Sequence, residues 1–218
     1  MFTGIVEEIG KIESIKRSAT SMSLTVSAQG ILEDAHIGDS ISVNGVCLTI
    51  TSFTSRAFTM DVMPETFMST TLKELTNGSP VNLERAMSAN GRFGGHFVTG
   101  HVDGVGIIKD IGEKENALYI GIEIPSELQH LFIHKGSVTV DGTSLTVFGV
   151  EDNKITISLI PQTRHDTILG SKRVGSNVNI ECDVMAKYFH RFYELKNNPP
   201  EKKSSITTEM LSKNGFLD

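Results

Sequence analysis

Residues 43–49, Val-Asn-Gly-Val-Cys-Leu-Thr, decide the fold, because almost the same stretch returns at residues 140–146 as Val-Asp-Gly-Thr-Ser-Leu-Thr. The second copy begins 97 positions after the first (140 minus 43). In each copy an Asn-Gly or Asp-Gly pair stands between apolar runs, which is the strongest short-range signal for a tight β-hairpin. The stretch therefore predicts the same hairpin twice in one chain.

The repeat extends outward from these hairpins in both directions. Its further pairs are residues 3–6 with 99–102, 64–66 with 161–163, and 78–84 with 175–181. The offset is 96 in the first pair and 97 in the others, so one insertion accounts for all of them. Two copies of such a long period indicate a duplicated domain rather than a solenoid.

Each copy has the pattern of short strands separated by turn residues. Ser23–Val26 and Leu118–Ile124 alternate or run apolar, as strands of a half-buried sheet do. About six such strands in each half predict a small closed barrel, which leaves no exposed sheet edge. The predicted class is all-β: tandem duplicated six-stranded Greek-key β-barrels with a C-terminal α-helix.

The predicted domains follow from where the repeat begins and ends. We place the first barrel at 1–90 and the second at 97–184, with a turn-rich join near Ala86 to Phe97 that belongs to neither repeat. Apolar residues then recur at helical spacing, so a helix is predicted over 185–196, with Asp183 as its cap. Residues 197–218 are polar, contain Pro199-Pro200, and are predicted to form a mobile tail.

Composition narrows the function classes. The chain has 218 residues, a net charge of -6 and a sequence pI of about 5.6, and an acidic surface repels phosphate backbones, so no nucleic-acid partner is expected. No segment has the length or character of a signal peptide or a membrane span, so no membrane partner is expected. Cys47 and Cys182 fit no zinc or redox spacing. Isolated thiols suit a reducing compartment, and a cytoplasmic location is predicted.

The residues that carry chemistry allow two interpretations. Cys47 and Thr49, like Ser144 and Thr146, stand two apart on a strand and so point to one face. Taken alone, such groups are more often buried hydroxyls bonded to the backbone. Because they recur in both copies, they also fit the frame of a ligand pocket.

The two copies differ where Ile5 of the first becomes His101 of the second. His96 and His101 would face opposite sides of a strand, so no metal site is predicted. A lone histidine is more often structural, and the Gly-rich Arg92–Gly95 is more often a linker. The residues by themselves therefore predict two equivalent small-ligand pockets, one chemically distinct, and do not name the ligand.

The sequence resembles the riboflavin synthase family, the lumazine-binding β-barrel proteins. The resemblance covers residues 1 to about 190 and is carried by motifs in both halves. They are Met1–Val6, Val43–Thr49, Gly94–His96, Gly100–Val102, Asp141–Thr146, Ile160–Thr163 and Leu169-Gly170. Pro64 departs from the Lys of some relatives and is not expected to disable the pocket.

This resemblance implies an enzyme of riboflavin biosynthesis. Two molecules of 6,7-dimethyl-8-ribityllumazine would disproportionate: one gives up a four-carbon unit and leaves as a ribitylaminopyrimidine, and the other becomes riboflavin. No cofactor and no metal are implied. The resemblance also implies a homotrimer, with the C-terminal helices packed together and each active site between barrels of neighbouring subunits. It leaves open an association with lumazine synthase.

The resemblance further implies the site residues. The pocket of the first barrel would contain Gly4, Ile5, Val6, Cys47, Leu48, Thr49, Asp61, Val62, Met63, Pro64, Glu65 and Thr66, covered by Gly100, His101 and Val102. That of the second would contain Ser144, Leu145, Thr146, Ile160, Pro161, Gln162, Thr163, Arg164 and His165, with Lys135 reaching across from another chain. His101 is the candidate base, Ser40 or Cys47 a candidate nucleophile besides water, and Asp141 or Asp183 a candidate proton relay.

Two other classes remain as alternatives. One is a lumazine protein, which binds the same chromophore without catalysis. Such proteins tend to lose three features that this chain retains: Thr3, Ser-Leu-Thr at 144–146, and His101. The retained residues favour the enzyme. A flavin-binding reductase barrel would need a nucleotide-binding domain, and no strand is followed by a Gly-rich helix start.

Overall fold

The computed structural model describes residues 1–17, 22–197 and 208–216. It divides into a larger unit, Met1–Lys187, which contains both barrels, and a smaller unit, Tyr188–Asp218. Each unit is described by itself below.

The first barrel is built from six strands in the first half of the chain. They are β1 (Glu8–Arg17), β2 (Met22–Ser27), β3 (Ser40–Val43), β4 (Val46–Phe53), β5 (Ala57–Val62) and β6 (Pro80–Arg85). All neighbouring strands are antiparallel, and they close in the order β1-β2-β5-β4-β3-β6.

The second barrel repeats this plan. Its strands are β7 (Gly104–Lys114), β8 (Ala117–Glu123), β9 (Ser137–Val140), β10 (Thr143–Glu151), β11 (Lys154–Leu159) and β12 (Asn177–Cys182). They close in the equivalent antiparallel order β7-β8-β11-β10-β9-β12. The prediction of two tandem six-stranded barrels is confirmed.

Short helices join the strands at equivalent places. The α-helices are α1 (Pro64–Ser69), α2 (Pro161–Asp166), α3 (Val184–Asn197) and α4 (Thr208–Lys213). The 3-10 segments are Gly30–Leu32, Thr71–Glu74, Ser126–Leu131 and Ile168–Ser171. Both α1 and α2 start at a proline, whose fixed φ suits the first helical position.

The hairpins that decided the fold also join the two barrels. Asn44 and Gly45 have φ of 48° and 82°, and Asp141 and Gly142 have φ of 43° and 79°, as a type I′ turn requires. The two turns meet back to back, so a Cβ on Gly45 would lie 2.8 Å from the Gly142 nitrogen, and the reverse contact is also 2.8 Å. Side chains at these positions would push the barrels apart.

A pair of equivalent asparagines ties the junction together. Asn82 donates from Nδ2 to the carbonyl of Asp141 at 2.7 Å, and Asn179 donates to the carbonyl of Asn44 at 2.8 Å. Both amides are buried. The barrels therefore form a pseudo-twofold pair in which both asparagine side chains are buried and hydrogen-bonded across the junction.

Helix α3 follows the second barrel. The Asp183 carboxylate accepts from the Met185 amide at 2.9 Å, which is the predicted cap. Lys187 reaches back to the Asp103 carboxylate at 2.8 Å.

The predicted mobile tail lies partly outside the described residues, namely at 198–207 and 217–218. Its described part contains helix α4, which the sequence analysis did not predict. Lys213 pairs with Glu209 at 3.0 Å along the helix, and Gly215, with φ of 74°, follows its end. Within the described part of the chain, no helix is long and apolar enough to cross a membrane.

Candidate functional site

Each barrel receives a glycine loop from the other half of the chain. The Gly4 carbonyl accepts from the Ser144 amide at 2.7 Å, and the Gly100 carbonyl accepts from the Cys47 amide at 2.9 Å. Both glycines have positive φ, of 77° and 80°. A Cβ would lie 2.7 Å from that of Ser144 and 2.5 Å from that of Cys47, so only glycine permits this approach.

This crossing corrects one prediction. Gly4, Ile5 and Val6 were predicted to belong to the pocket of the first barrel, yet their loop lies against Ser144 of the second. The sequence repeat could not show this, because it aligns each loop with the barrel that follows it in the chain. The Gly100 loop lies against Cys47 of the first barrel.

Buried carboxylates hold both loops in place. Glu84 accepts from the Thr3 amide and hydroxyl, both at 2.7 Å, and from the Gly4 amide at 3.0 Å. Glu181 accepts in the same way from Thr99, at 2.6 and 2.7 Å, and from Gly100 at 3.0 Å. Burial raises the pKa of Glu84, although its hydrogen bonds oppose that shift. Neither glutamate is among the predicted site residues, although their repetition at residues 84 and 181 is visible in the repeat.

The motif strands present one polar and one apolar face, as predicted. Cys47 and Ser144 are half-buried and Thr49 and Thr146 are exposed, all on the outer face of their barrels. The more conservative interpretation, buried hydroxyls at a barrel end, is therefore wrong for both threonines. The outer faces of β4 and β10 leave these groups accessible to a ligand.

The other predicted pocket residues differ in how far their side chains are exposed. On the surface are Ile5, Asp61, Met63, Pro64, Glu65, His101, Lys135, Ile160, Pro161, Gln162, Arg164 and His165. Half-buried are Val6, Ser40, Thr66, Val102 and Thr163. Ser40 pairs with Thr49 across β3 and β4. Lys135 donates its amide to the Val147 carbonyl at 2.8 Å, so it lies beside the strand that carries Thr146.

For three residues, burial of the side chain contradicts the predicted contact with a ligand. The side chains of Leu48, Val62 and Leu145 are 5%, 3% and 9% exposed and belong to the two barrel cores. They alternate with the outward-facing polar residues, so strand geometry turns them away from any outer pocket. Their roles are to fill the cores.

The prediction that Asp141 relays protons also needs correction. Asp141 is fully buried, accepts from the Asn179 amide at 2.8 Å and pairs with Lys172 at 3.0 Å. Burial raises the pKa of Asp141, and Lys172 opposes that shift. The equivalent Asn44 makes the same bond to the Asn82 amide at 2.7 Å, so the side chain at this position has a structural role within its own barrel. The full burial of Asp141 does not suit the predicted proton relay.

His96, which was expected to be structural, lies against the hydroxyls of Ser144 and Thr139 in the second barrel. Its Nδ1 lies 2.7 Å from the Ser144 hydroxyl and its Nε2 lies 3.1 Å from the Thr139 hydroxyl. Burial lowers the pKa of His96, and the Asp183 carboxylate partly opposes this. A neutral imidazole has one donor and one acceptor, so a ring that donates to Thr139 accepts the proton of Ser144.

Among the described residues, no histidine is hydrogen-bonded to Cys47 in the way that His96 is bonded to Ser144. The first barrel instead has Cys47 in place of Ser144, and the exposed His101 on the loop whose Gly100 contacts Cys47. The two strand–loop contacts are thus equivalent in backbone and different in their side chains. No group of His, Cys, Asp and Glu suited to a metal ion occurs among the described residues.

Comparison with known proteins defines the class. The model of the lumazine binding domain matches twice, at residues 3–86 and 99–183. Two such domains make the chain a tandem lumazine-binding protein.

Curated relatives narrow the class. The chain is 56% identical to the riboflavin synthase of Bacillus subtilis (strain 168) over 99% of this chain and 100% of the relative. It is 50% identical to that of Actinobacillus pleuropneumoniae, with the same coverage. The chain belongs to the riboflavin synthase family.

Solved structures agree on the fold. LumP complexed with 6,7-dimethyl-8-(1'-D-ribityl) lumazine has a TM-score of 0.75 at 29% identity, covering 84% of this chain and 99% of that one. LumP complexed with riboflavin has a TM-score of 0.77, with the same identity and coverage. LumP is therefore more distant in sequence than the two riboflavin synthases above.

Proposed function

We propose that this chain is a riboflavin synthase, which converts two molecules of 6,7-dimethyl-8-ribityllumazine into riboflavin and a ribitylaminopyrimidinedione by transfer of a four-carbon unit. The observation that carries the proposal is a pair of equivalent strand–loop contacts with different polar groups. Cys47 lies against the loop that contains His101, and Ser144 is hydrogen-bonded to His96. A disproportionation needs this asymmetry, because one lumazine donates carbon and the other accepts it. Full-length similarity to riboflavin synthases supports the same reaction.

The chemistry requires a base and two well-oriented substrates. The C7 methyl of the lumazine is acidic because its anion delocalises into the ring, and a positioned base would contribute about 10²–10⁴-fold. Orientation of two reactants is worth about 7–11 kcal/mol, so positioning carries much of the rate. His101 remains our candidate base; Ser40, Cys47 or water is the candidate nucleophile.

The His96–Ser144 pair adds a second candidate for the nucleophile. With Ser144 as the proton donor, its oxygen gains electron density for attack on a bound lumazine. Asp183 supports the pair electrostatically, since its carboxylate opposes the lowering of the His96 pKa. Thr49 and Thr146 would hold the two pteridines through hydrogen bonds.

Assembly as a homotrimer is part of the proposal. Helix α3 carries large side chains that are strongly exposed: Tyr188 at 61%, Phe189 at 66%, Phe192 at 65% and Tyr193 at 68%. Exposed apolar stripes of this kind mark interaction surfaces. Copies of this helix would pack together, and Lys135 of one chain would then reach a pocket of the next. Lumazine synthase is a candidate partner, tested by co-sedimentation.

A cytoplasmic location is proposed from the thiols. Cys47 and Cys182 are both free, and burial raises the pKa of Cys182 to about 12. Unpaired thiols fit a reducing compartment.

A single assay tests the function. Purified protein is mixed with 6,7-dimethyl-8-ribityllumazine without cofactor, and riboflavin absorbance is followed. One riboflavin should form for every two lumazines consumed. Tight binding without product would overturn the proposal in favour of a non-catalytic lumazine protein.

A further inference from the structure

The helices beside the two pockets are anchored to their barrels by different residues at the same place. Phe67 of α1 is 3% exposed and belongs to the first core. Arg164 of α2 occupies the position 97 residues later (164 minus 67), is exposed, and α2 has no buried side chain. The first helix therefore has an apolar anchor that the second lacks.

Each anchor has a partner at the end of the barrel's first strand. The Arg17 guanidinium lies over the Phe67 ring, 4.9 Å from its centroid. The residue equivalent to Arg17 is Glu113 (113 minus 17 is 96), and its carboxylate pairs with Arg164 at 2.7 Å. A cation–π contact in one half has become an ion pair in the other.

The two helices share an equivalent hydrogen bond at their ends. Thr70 donates its hydroxyl to the Thr66 carbonyl at 2.7 Å, and Thr167 donates to the Thr163 carbonyl at 2.7 Å. The exchanged contact is thus a local difference between two equivalent helix–strand junctions.

We propose that Arg17–Phe67 and Glu113–Arg164 are equivalent braces that position the two pocket helices, and that only the second brace weakens with salt. Arg17, Phe67 and Glu113 are positioning residues, and Arg164 is a predicted pocket residue that also takes part in its brace. The inference rests on the proposed function, with Pro64–Thr66 and Pro161–His165 as the predicted pocket residues. As a consequence, ionic strength would change ligand affinity in the second barrel's pocket and leave that in the first unchanged.

The physical basis is the exposure of the second brace. The side chains of Arg164 and Glu113 are 48% and 66% exposed, so ions screen their attraction. Exposed ion pairs of this kind change an equilibrium by about two- to fivefold. Burial of the Phe67 ring is not weakened by salt at moderate concentration, because it does not depend on a long-range charge interaction.

The test uses the full chain, with riboflavin as the probe, titrated by fluorescence quenching at low and high ionic strength. In the unchanged protein one class of sites should weaken with salt. Glu113→Gln should weaken that class about two- to fivefold at low ionic strength and remove its salt response. The matched control is Glu123→Gln, which breaks the exposed Lys109–Glu123 pair of 2.6 Å on the same barrel and should leave both classes unchanged.

A transplant of the first brace gives the sharper result. The double variant Glu113→Arg with Arg164→Phe copies Arg17 and Phe67 into the second barrel. It should restore slow amide exchange in α2 relative to Glu113→Gln, and that exchange should be insensitive to salt. Ligand affinity is not the readout for this variant, because Arg164 is itself a predicted pocket residue. A merely destabilising effect would not give this rescue. The proposal fails where Glu113→Gln behaves like Glu123→Gln, or where the transplanted brace keeps the salt response.

Amide hydrogen exchange of the free protein separates this proposal from the proposed function. Salt and Glu113→Gln should each speed exchange in α2 and not in α1. Because this readout needs no ligand, a chain with this exchange pattern but no riboflavin binding would contradict the pocket assignment and retain the brace. Equal exchange of α2 in all variants would overturn the brace whatever the titrations show.

Discussion

The Nδ1 atom of His96 lies 2.7 Å from the hydroxyl of Ser144, and this contact exists in only one of the two otherwise equivalent barrels. Cys47 stands in the place of Ser144 in the first barrel, and among the described residues no histidine is hydrogen-bonded to it. The duplication therefore gives two equivalent backbone arrangements, and His96 makes the second chemically different from the first.

Removal of this contact should lower turnover more than binding. We expect Ser144→Ala to reduce riboflavin formation about 10²-fold if its hydroxyl takes part in the reaction. His96→Gln should have a similar effect, and the double variant should be no worse than either, since both act through one bond. Steady-state rates and equilibrium lumazine binding on the same proteins provide the measurement.

Thr139→Ser is the matched control for this pair. It keeps a hydroxyl for Nε2 of His96 and should turn over like the unchanged protein. Normal rates for Ser144→Ala would show that the bond only holds the loop.

The buried imidazole should also make stability depend on pH. Because burial lowers the folded-state pKa of His96, the unfolded chain binds its proton more readily. The contribution of His96 to the free energy of unfolding is fully present above a pH of about 6.5, and it decreases as the pH falls below that value.

Urea unfolding at pH 7.5 and 5.5 measures the effect. The loss on acidification should be smaller in His96→Gln than in the unchanged protein. The raised pKa values of Glu84 and Asp141 act in the opposite direction, with stability lost as pH rises, but they are present in both proteins and cancel in the comparison. An equal pH response in the two proteins would exclude His96 as its source.

The fold could be predicted from sequence because the repeat and the two hairpin turns are local signals. Strand alternation also gave the outward direction of Thr49 and Thr146. The loop crossing could not be predicted, since contacts between Gly4 and Ser144 join residues far apart in the chain. Arg92–Gly95 was interpreted as a linker because its contacts are also distant in sequence. Gly95 packs so closely against Ser144 that an added Cβ would lie 2.9 Å from the Ser144 Oγ, and this contact is visible only in the folded chain.

Asp141 should prove structural. Asp141→Asn would leave Lys172, which is 18% exposed, without its carboxylate partner, at a cost of about 1–3 kcal/mol after allowance for partial solvation. Adding Lys172→Leu copies Asn44 and Leu75 of the first barrel and should recover most of that loss. Denaturant unfolding gives the stabilities. A specific loss of kcat in the fully folded double variant would revive the proton-relay role.

Helix α3 should carry the assembly. A chain ending at Asp183 retains both barrels but lacks the exposed aromatic side chains, so it should sediment as a smaller species. Phe189→Glu with Phe192→Glu in the full chain should have the same effect, because it places charges on the proposed contact. Circular dichroism of each protein checks that the barrels stay folded. A truncated chain that still sediments as a trimer would place the contact elsewhere.

His101 and the two equivalent threonines should separate catalysis from binding. Thr49→Val and Thr146→Val keep side-chain volume but remove a hydroxyl from the ligand-facing strand, so each should weaken lumazine binding by about 1–3 kcal/mol. His101 has no counterpart in the first copy, where Ile5 stands, and its loop is fixed to Cys47 through Gly100. His101→Gln should therefore lower kcat about 10²-fold with little change in affinity. The matched control is Ile5→Val, which alters the equivalent position without removing a titratable group. Normal turnover by His101→Gln would mean that another group removes the methyl proton, with the His96–Ser144 pair as the next to test.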